Sequence, residues 1–201
     1  MCDPRAAINV AKRAARKTIR ERVEALDADS LRRKSAAVAR RLWATSWWRE
    51  AEWVFAYVAT FGEVQTQALI ARAYREGKRV AIPRIEGEDL AFYRYEGRTR
   101  GLLPNQFGIL EPDPVWTRVE PASLSDRRLL VLAPGLGFDR HKRRLGRGKG
   151  FYDRFLARVR AAGTRAVAVG LAFSEQLEEC IPVSEQDQAL DGVVTDREVF
   201  T

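Results

Sequence analysis

The stretch "LLVLAPGLGFDRHKRRLGRGKGFYDRFL", Leu129 to Leu156, passes from an unbroken apolar run through a loop rich in glycine and arginine into an amphipathic segment. The apolar run from Leu129 is continuous rather than alternating, which predicts a strand buried on both faces. "FYDRFLARVRAAG" from Phe151 then reads as a helix, and "AVAVGLAF" after it as another buried strand. Strand, helix, strand in this order predicts a parallel crossover unit of an α/β protein. Connections in such units usually take roughly two to six residues. The loop from Pro134 to Gly150 is far longer, and it leaves from the carboxyl end of a strand, where open α/β sheets bind their ligands.

The same alternation extends outward from this unit. Toward the N-terminus, Ala15, Ile19, Val23 and Leu26 recur on one face of a helix, and "DADS" breaks it, with Ser30 placed to cap a second helix carrying Leu31, Val38 and Leu42. "WVFAYVA", Trp53 to Ala59, is a second buried strand. Thr66 is placed to cap the helix "QALIARAYREG", which Gly77 stops. "RVAIP" and "LAFYRY" read as strands linked by the "EGED" turn, and "GVVT" near the C-terminus as a short final strand. The segment 97–126, with Pro104, Pro112, Pro114 and Pro121, reads as an irregular excursion. The pattern predicts an α/β sandwich with a mostly parallel sheet.

Composition narrows the function classes. A chain of 201 residues with 46% hydrophobic content is long enough for a full core and favours one domain, residues 1–201. Cys2 and Cys180 support neither a disulfide framework nor a cysteine-rich zinc site. His141 is the only histidine and lies among arginines and lysines, which is poor ground for a serine-histidine-aspartate triad. No apolar run approaches the roughly 18 residues of a membrane span, so no membrane association is expected. The net charge of +8 predicts attraction to anions, whether nucleic acid or small phosphorylated ligands. An arginine-rich N-terminus is also compatible with a targeting segment, but Glu21 and Glu24 interrupt it early.

The loop itself has the parts of a phosphate cradle. Gly146, Gly148 and Gly150 let backbone N–H groups approach an anion, Arg143, Arg144, Arg147 and Lys149 supply charge, and the helix from Phe151 adds its positive end. It is not a Walker A sequence, because Gly150 follows Lys149 where a magnesium-binding serine or threonine would stand. A metal ligand would have to come from elsewhere, and Asp153 in the first helical turn is one candidate; equally it is a carboxylate complementing the helix dipole. A solvated charged loop and a nucleic-acid contact of the arginine-glycine kind remain open on residue chemistry alone.

"LAPGLGFDRHKRRLGRGKGFYDRFL" closely resembles the signature of the 5-formyltetrahydrofolate cyclo-ligase (5,10-methenyltetrahydrofolate synthetase) family. "KRAAR", "FGEVQT", "IPR", "LLPNQFGILEP" and "IPVSEQDQALDGVVT" also resemble family segments in the family's order. The resemblance implies a three-layer sandwich of the NagB/RpiA/CoA-transferase type. It further implies an enzyme whose partners are small molecules rather than nucleic acid; the sparse cysteines suit a reducing cytoplasm, and a monomer is expected. That enzyme would use ATP and Mg²⁺ to convert 5-formyltetrahydrofolate to 5,10-methenyltetrahydrofolate through a phosphorylated formyl group, releasing ADP and phosphate.

The resemblance also implies roles for single residues. ATP would be held by Lys12 and Arg16, four apart on one helix face, and by Arg144, Leu145, Gly146, Arg147, Gly148, Lys149, Gly150, Phe151 and Tyr152, with Arg144 and Lys149 neutralising charge in catalysis. Phe151 stands where the family commonly has tyrosine. Asp153 and Asp187 would bind the metal, although Gln186 replaces a histidine frequent in the family. Glu63 would accept pterin N–H bonds and Val58 would line the same pocket. Phe107 would either stack on the pterin or sit in the core, and Arg84 would either meet the anionic end of a substrate or serve the fold.

Overall fold

The computed structural model describes residues 4–97, 101–105 and 108–201. The chain opens with helices α1 (Pro4–Glu24), α2 (Ala28–Trp43) and α3 (Ser46–Glu50). The cap of α2 is Asp27 rather than Ser30: its carboxylate accepts the Ser30 N–H at 2.6 Å, and Ser30 lies inside the first turn. A charged carboxylate satisfies the free N–H and also complements the helix dipole, so it takes the capping position ahead of the hydroxyl.

Strand β1 (Trp53–Phe55) is followed by α4 (Gln67–Arg75), β2 (Arg79–Glu86) and β3 (Asp89–Tyr95), the last two pairing as the expected antiparallel hairpin. The proline-rich excursion is more regular than its sequence suggests. It holds a small hairpin, β4 (Leu102–Pro104) with β5 (Leu110–Pro112), and an edge strand, β6 (Arg118–Val119), paired to β3. Then come β7 (Leu129–Ala133), β8 (Gly137–Asp139), β9 (Arg144–Leu145), α5 (Phe151–Ala161), β10 (Ala166–Leu171), β11 (Leu177–Glu178), β12 (Gly192–Val194) and β13 (Val199–Phe200).

The main sheet runs β13-β12-β10-β7-β1-β2-β3-β6, with β12, β10, β7, β1 and β2 mutually parallel. Its central strands β1 and β7 are buried at every residue, as their unbroken apolar sequences predict. The crossover β1–α4–β2 steps one way along the sheet and β7–α5–β10 steps the other. Right-handed crossovers of opposite direction put α4 and α5 on opposite faces, which gives the layered sandwich. The face under α5 is aromatic: Phe155 lies 4.5 Å from Phe92 and 6.1 Å from Phe55, ring centre to ring centre.

The reversal of direction between β1 and β7 is a topological switch point. Ligands of open α/β sheets bind outside the carboxyl ends of the strands at such a point.

Candidate functional site

Two loops leave the switch point. The strand expected to reach Ala59 ends at Phe55; the Ala56 N–H still donates to Ala81 O at 2.9 Å, and the chain then turns away. Thr66 explains the departure. Its buried hydroxyl donates to Tyr57 O at 2.6 Å instead of capping α4, and the Tyr57 hydroxyl donates to Val64 O at 2.8 Å. This ties down a compact turn in which the Glu63 N–H donates to Thr60 O at 3.2 Å and Glu63 Oε2 accepts the Thr60 N–H at 2.9 Å.

The loop after β7 is built around Asp139, which is fully buried. Its Oδ1 accepts the N–H groups of His141 (2.9 Å) and Arg143 (3.0 Å), and its Oδ2 accepts that of Ile181 (2.9 Å). The β8–β9 hairpin so held delivers Arg144 and Leu145 to the glycine segment. Gly150 precedes α5 at φ +67°, a left-handed conformation that side chains rarely adopt, and among the described residues no side chain caps the N–H groups of the first turn.

Contacts then link the two loops to α1 and to the segment before β12. Arg147 donates to Glu63 Oε1 at 3.0 Å and to Thr60 Oγ1 at 2.9 Å. Arg144 donates to Asp153 Oδ2 at 2.8 Å and to Pro134 O at 3.2 Å, while Asp153 Oδ1 accepts the Gln188 N–H at 3.1 Å. Asp187 Oδ2 accepts Lys12 Nζ at 2.5 Å and the Ser184 N–H at 2.6 Å. Arg16 Nε donates to Gly146 O at 2.9 Å. Lys12, Arg16, Glu63, Arg144, Gly146, Arg147, Asp153 and Asp187 therefore converge on the switch point through direct bonds.

Burial sorts these pairs by strength. The Arg144 and Asp153 side chains are 5% and 16% exposed, so breaking that pair would strand a buried charge. The Arg147 side chain is 56% exposed and that of Glu63 10%, so the pair is screened from the arginine side, and Glu63 keeps the Thr60 N–H if Arg147 leaves. The first is a fixed strut; the second can be exchanged for a ligand.

The electrostatics keep hydroxyl donors protonated and cations paired. Burial pushes the Tyr152 phenol well up, the Glu63 charge adds to this, and Arg144 opposes it. Burial followed by the Glu63 charge likewise raises Tyr57. For Asp187 burial works upward, but the hydrogen bonds and charge of Lys12 and the Ser184 donors outweigh it and the carboxyl lies below its usual range. Two buried polar atoms of the cradle, Arg144 Nε and Tyr152 OH, have no hydrogen-bond partner among the described residues, a state shared elsewhere by Arg22 Nε, Trp43 Nε1 and Trp53 Nε1.

The sequence model of the 5-formyltetrahydrofolate cyclo-ligase family matches residues 8–196. The chain belongs to that family. It is 32% identical over 192 residues to the 5-formyltetrahydrofolate cyclo-ligase of Mus musculus, covering 93% of this chain and 94% of that one. It is 36% identical over 150 residues to that of Escherichia coli strain K12, covering 73% and 79%. The solved structure of the Aquifex aeolicus 5,10-methenyltetrahydrofolate synthetase superposes with a TM-score of 0.77 at 32% identity, covering 94% of this chain and 91% of that one. The Mycoplasma pneumoniae synthetase, at 21% identity and a TM-score of 0.72, shares the fold.

Not every residue singled out from the cyclo-ligase signature joins the network. Val58 is half-buried on the β1 loop. Arg84 donates to Pro112 O at 2.9 Å and lies 3.9 Å from buried Glu111, contacts that hold the β4–β5 hairpin against β2. The Lys149 side chain is exposed, with no bonded partner among the described residues. Phe107 lies outside the described residues. Thr60, Ser184 and the Gln188 N–H were not foreseen; they are short polar groups with no motif of their own, visible only as partners of Arg147, Asp187 and Asp153.

The carboxylates suit one metal class. No group of three or more metal-ligating side chains occurs among the described residues. Asp153 has both oxygens engaged, whereas Asp187 Oδ1 takes no hydrogen bond among those residues. One or two carboxylates without a full cage fit Mg²⁺, which keeps waters and takes substrate phosphate oxygens.

Proposed function

We propose that the protein catalyses the ATP- and Mg²⁺-dependent closure of 5-formyltetrahydrofolate to 5,10-methenyltetrahydrofolate, releasing ADP and phosphate. The observation that carries this reading is the meeting, at one switch point, of Lys12, Arg16 and the Arg144–Tyr152 segment with Glu63. Glu63 supports recognition of the paired N–H donors of a pterin, because a carboxylate matches two parallel donors. Lys12, Arg16, Arg147 and Lys149 would neutralise the triphosphate from two sides, with the first-turn N–H groups of α5 adding donors.

The formyl oxygen would attack the γ-phosphorus as the bond to ADP breaks; N10 would then attack the formyl carbon, and its proton would leave with the departing phosphate as the ring closes. The protein's task is then alignment and charge neutralisation rather than strong base chemistry. Arg144, held rigidly by Asp153 and Pro134 O, would face developing phosphoryl charge. Asp187 would hold Mg²⁺, with Asp153 as the second candidate carboxylate, and the bound ion would supply neutralisation of phosphate charge. We also propose that the enzyme is a single-domain cytoplasmic monomer; no helix among the described residues is long and apolar enough to cross a membrane.

Incubation of the protein with 5-formyltetrahydrofolate, ATP and Mg²⁺, followed by the absorbance of the methenyl product, tests the reading. Product formation that needs all three supports it, and its absence across metals and pH overturns it.

A further inference from the structure

Phe61 stands at the apex of the Thr60–Glu63 turn with 72% of its surface exposed. Isolated apolar side chains are ordinary on protein surfaces, and Val115 on the β5–β6 turn, 85% exposed, is one. Phe61 differs in how it is held. Its preceding residue, Thr60, bonds to Glu63 through both its N–H and its C=O, and Arg147 clamps Thr60 Oγ1 and Glu63 Oε1 together. The Thr60–Glu63 bonds thus fix the turn that carries the phenyl ring, while the ring itself is left in solvent. Tyr74, another exposed ring, packs edge-on against Tyr95 at 6.2 Å; Phe61 has no ring partner among the described residues.

We infer that Phe61 is a stacking platform for the aromatic part of the folate substrate and sets its affinity and orientation. The inference rests on the folate reading of Glu63. A flat conjugated ring gripped at its edge by that carboxylate leaves its face for an aromatic side chain two residues away, and a rigid platform loses little conformational entropy when covered. ATP also carries a flat ring, so the same chemistry has two sources. Phe61 shares its turn with Glu63, which assigns it to the folate, and because Arg147 of the glycine loop also reaches this turn the Mg·ATP arm of the test separates the two sources.

The test is calorimetric binding of 5-formyltetrahydrofolate alone, and separately of Mg·ATP, to the wild type and to Phe61→Ala, Phe61→Leu and Phe61→Tyr. Because the ring is exposed, all variants should keep the wild-type circular dichroism and thermal midpoint. Phe61→Ala should weaken folate binding about tenfold, the size of an aromatic stacking contribution, and leave Mg·ATP binding unchanged. Phe61→Tyr should restore folate affinity and Phe61→Leu should not. Equal folate affinity in Phe61→Ala, full rescue by leucine, or a loss confined to Mg·ATP would each overturn the inference. A wild type that binds 5-formyltetrahydrofolate but forms no methenyl product would overturn the proposed reaction while leaving the platform to be judged by these affinities. A wild type that binds no folate would overturn both.

Discussion

Arg147 and Glu63, 84 residues apart in sequence, meet at 3.0 Å at the switch point between β1 and β7. The contact joins the loop we propose for the triphosphate to the loop we propose for the pterin. Because Arg147 is more than half exposed, the pair holds the loops in register without locking them.

That pair gives the first prediction. Glu63→Gln should change folding stability by less than about 1 kcal/mol, whereas Arg147→Ala leaves a carboxylate that is 10% exposed with the Thr60 N–H as its remaining donor among the described residues and should cost about 1–3 kcal/mol. Their kinetic effects should separate: Glu63→Gln should raise the KM for the folate about tenfold or more, whereas Arg147→Ala should act chiefly on the KM for ATP. Chemical denaturation alongside steady-state kinetics checks both halves.

The Arg144–Asp153 strut should behave in the opposite way. Arg144→Ala strands a carboxylate that is 16% exposed, and a loss of about 3–5 kcal/mol is expected. The double variant Arg144→Met/Asp153→Leu should recover much of that stability, since an apolar pair replaces a buried ionic one, and should remain inactive. A double variant no more stable than Arg144→Ala would count against the strut.

Asp187 predicts an acid limb. Its folded carboxyl titrates below the unfolded value of about 3.9, so its stabilisation is fully present above that value and is lost as the pH falls through the lowered folded value. In Asp187→Asn, the fall in urea midpoint below about pH 4 should be shallower than in the wild type. Midpoints measured through this range give the comparison directly.

A backbone contact should couple the fold to ATP. A Cβ added at Gly137 would lie 2.4 Å from Ile19 Cδ1, where α1 crosses the β8–β9 hairpin. Gly137→Ala should therefore destabilise by about 1–3 kcal/mol and raise the KM for ATP, because α1 carries Lys12 and Arg16. Adding Ile19→Val removes the clashing Cδ1 and should restore part of both effects. If the second substitution recovers neither, the contact does not position α1.

Much of the fold was legible because buried strands and amphipathic helices announce themselves by hydrophobic pattern. The runs at Trp53, Leu129 and Ala166 became β1, β7 and β10, and "FYDRFLARVRAAG" became α5. The misreadings were local and had polar causes. A strand expected to Ala59 stops at Phe55 because Thr66 bonds back to Tyr57, and Asp27 displaces Ser30 as a cap. The β4–β5 and β8–β9 hairpins were hidden because short strands rich in proline, glycine or charge carry no alternation to read.

For the site, the sequence by itself determined the inventory: the glycine and arginine loop, the family resemblance, and the identities of Lys12, Arg16, Glu63, Asp153 and Asp187. Only the tertiary structure decided who faces whom. Lys12 meets Asp187 across 175 positions, Arg144 turns to Asp153, Arg147 to Glu63, and Arg84 to the β4–β5 hairpin. The reason is physical. Backbone conformation and hydrophobic period act over a few residues and are written locally, whereas the partner of a charge is set by which strand ends the sheet order brings together. Here that order reverses between β1 and β7, and the charges gather where it does.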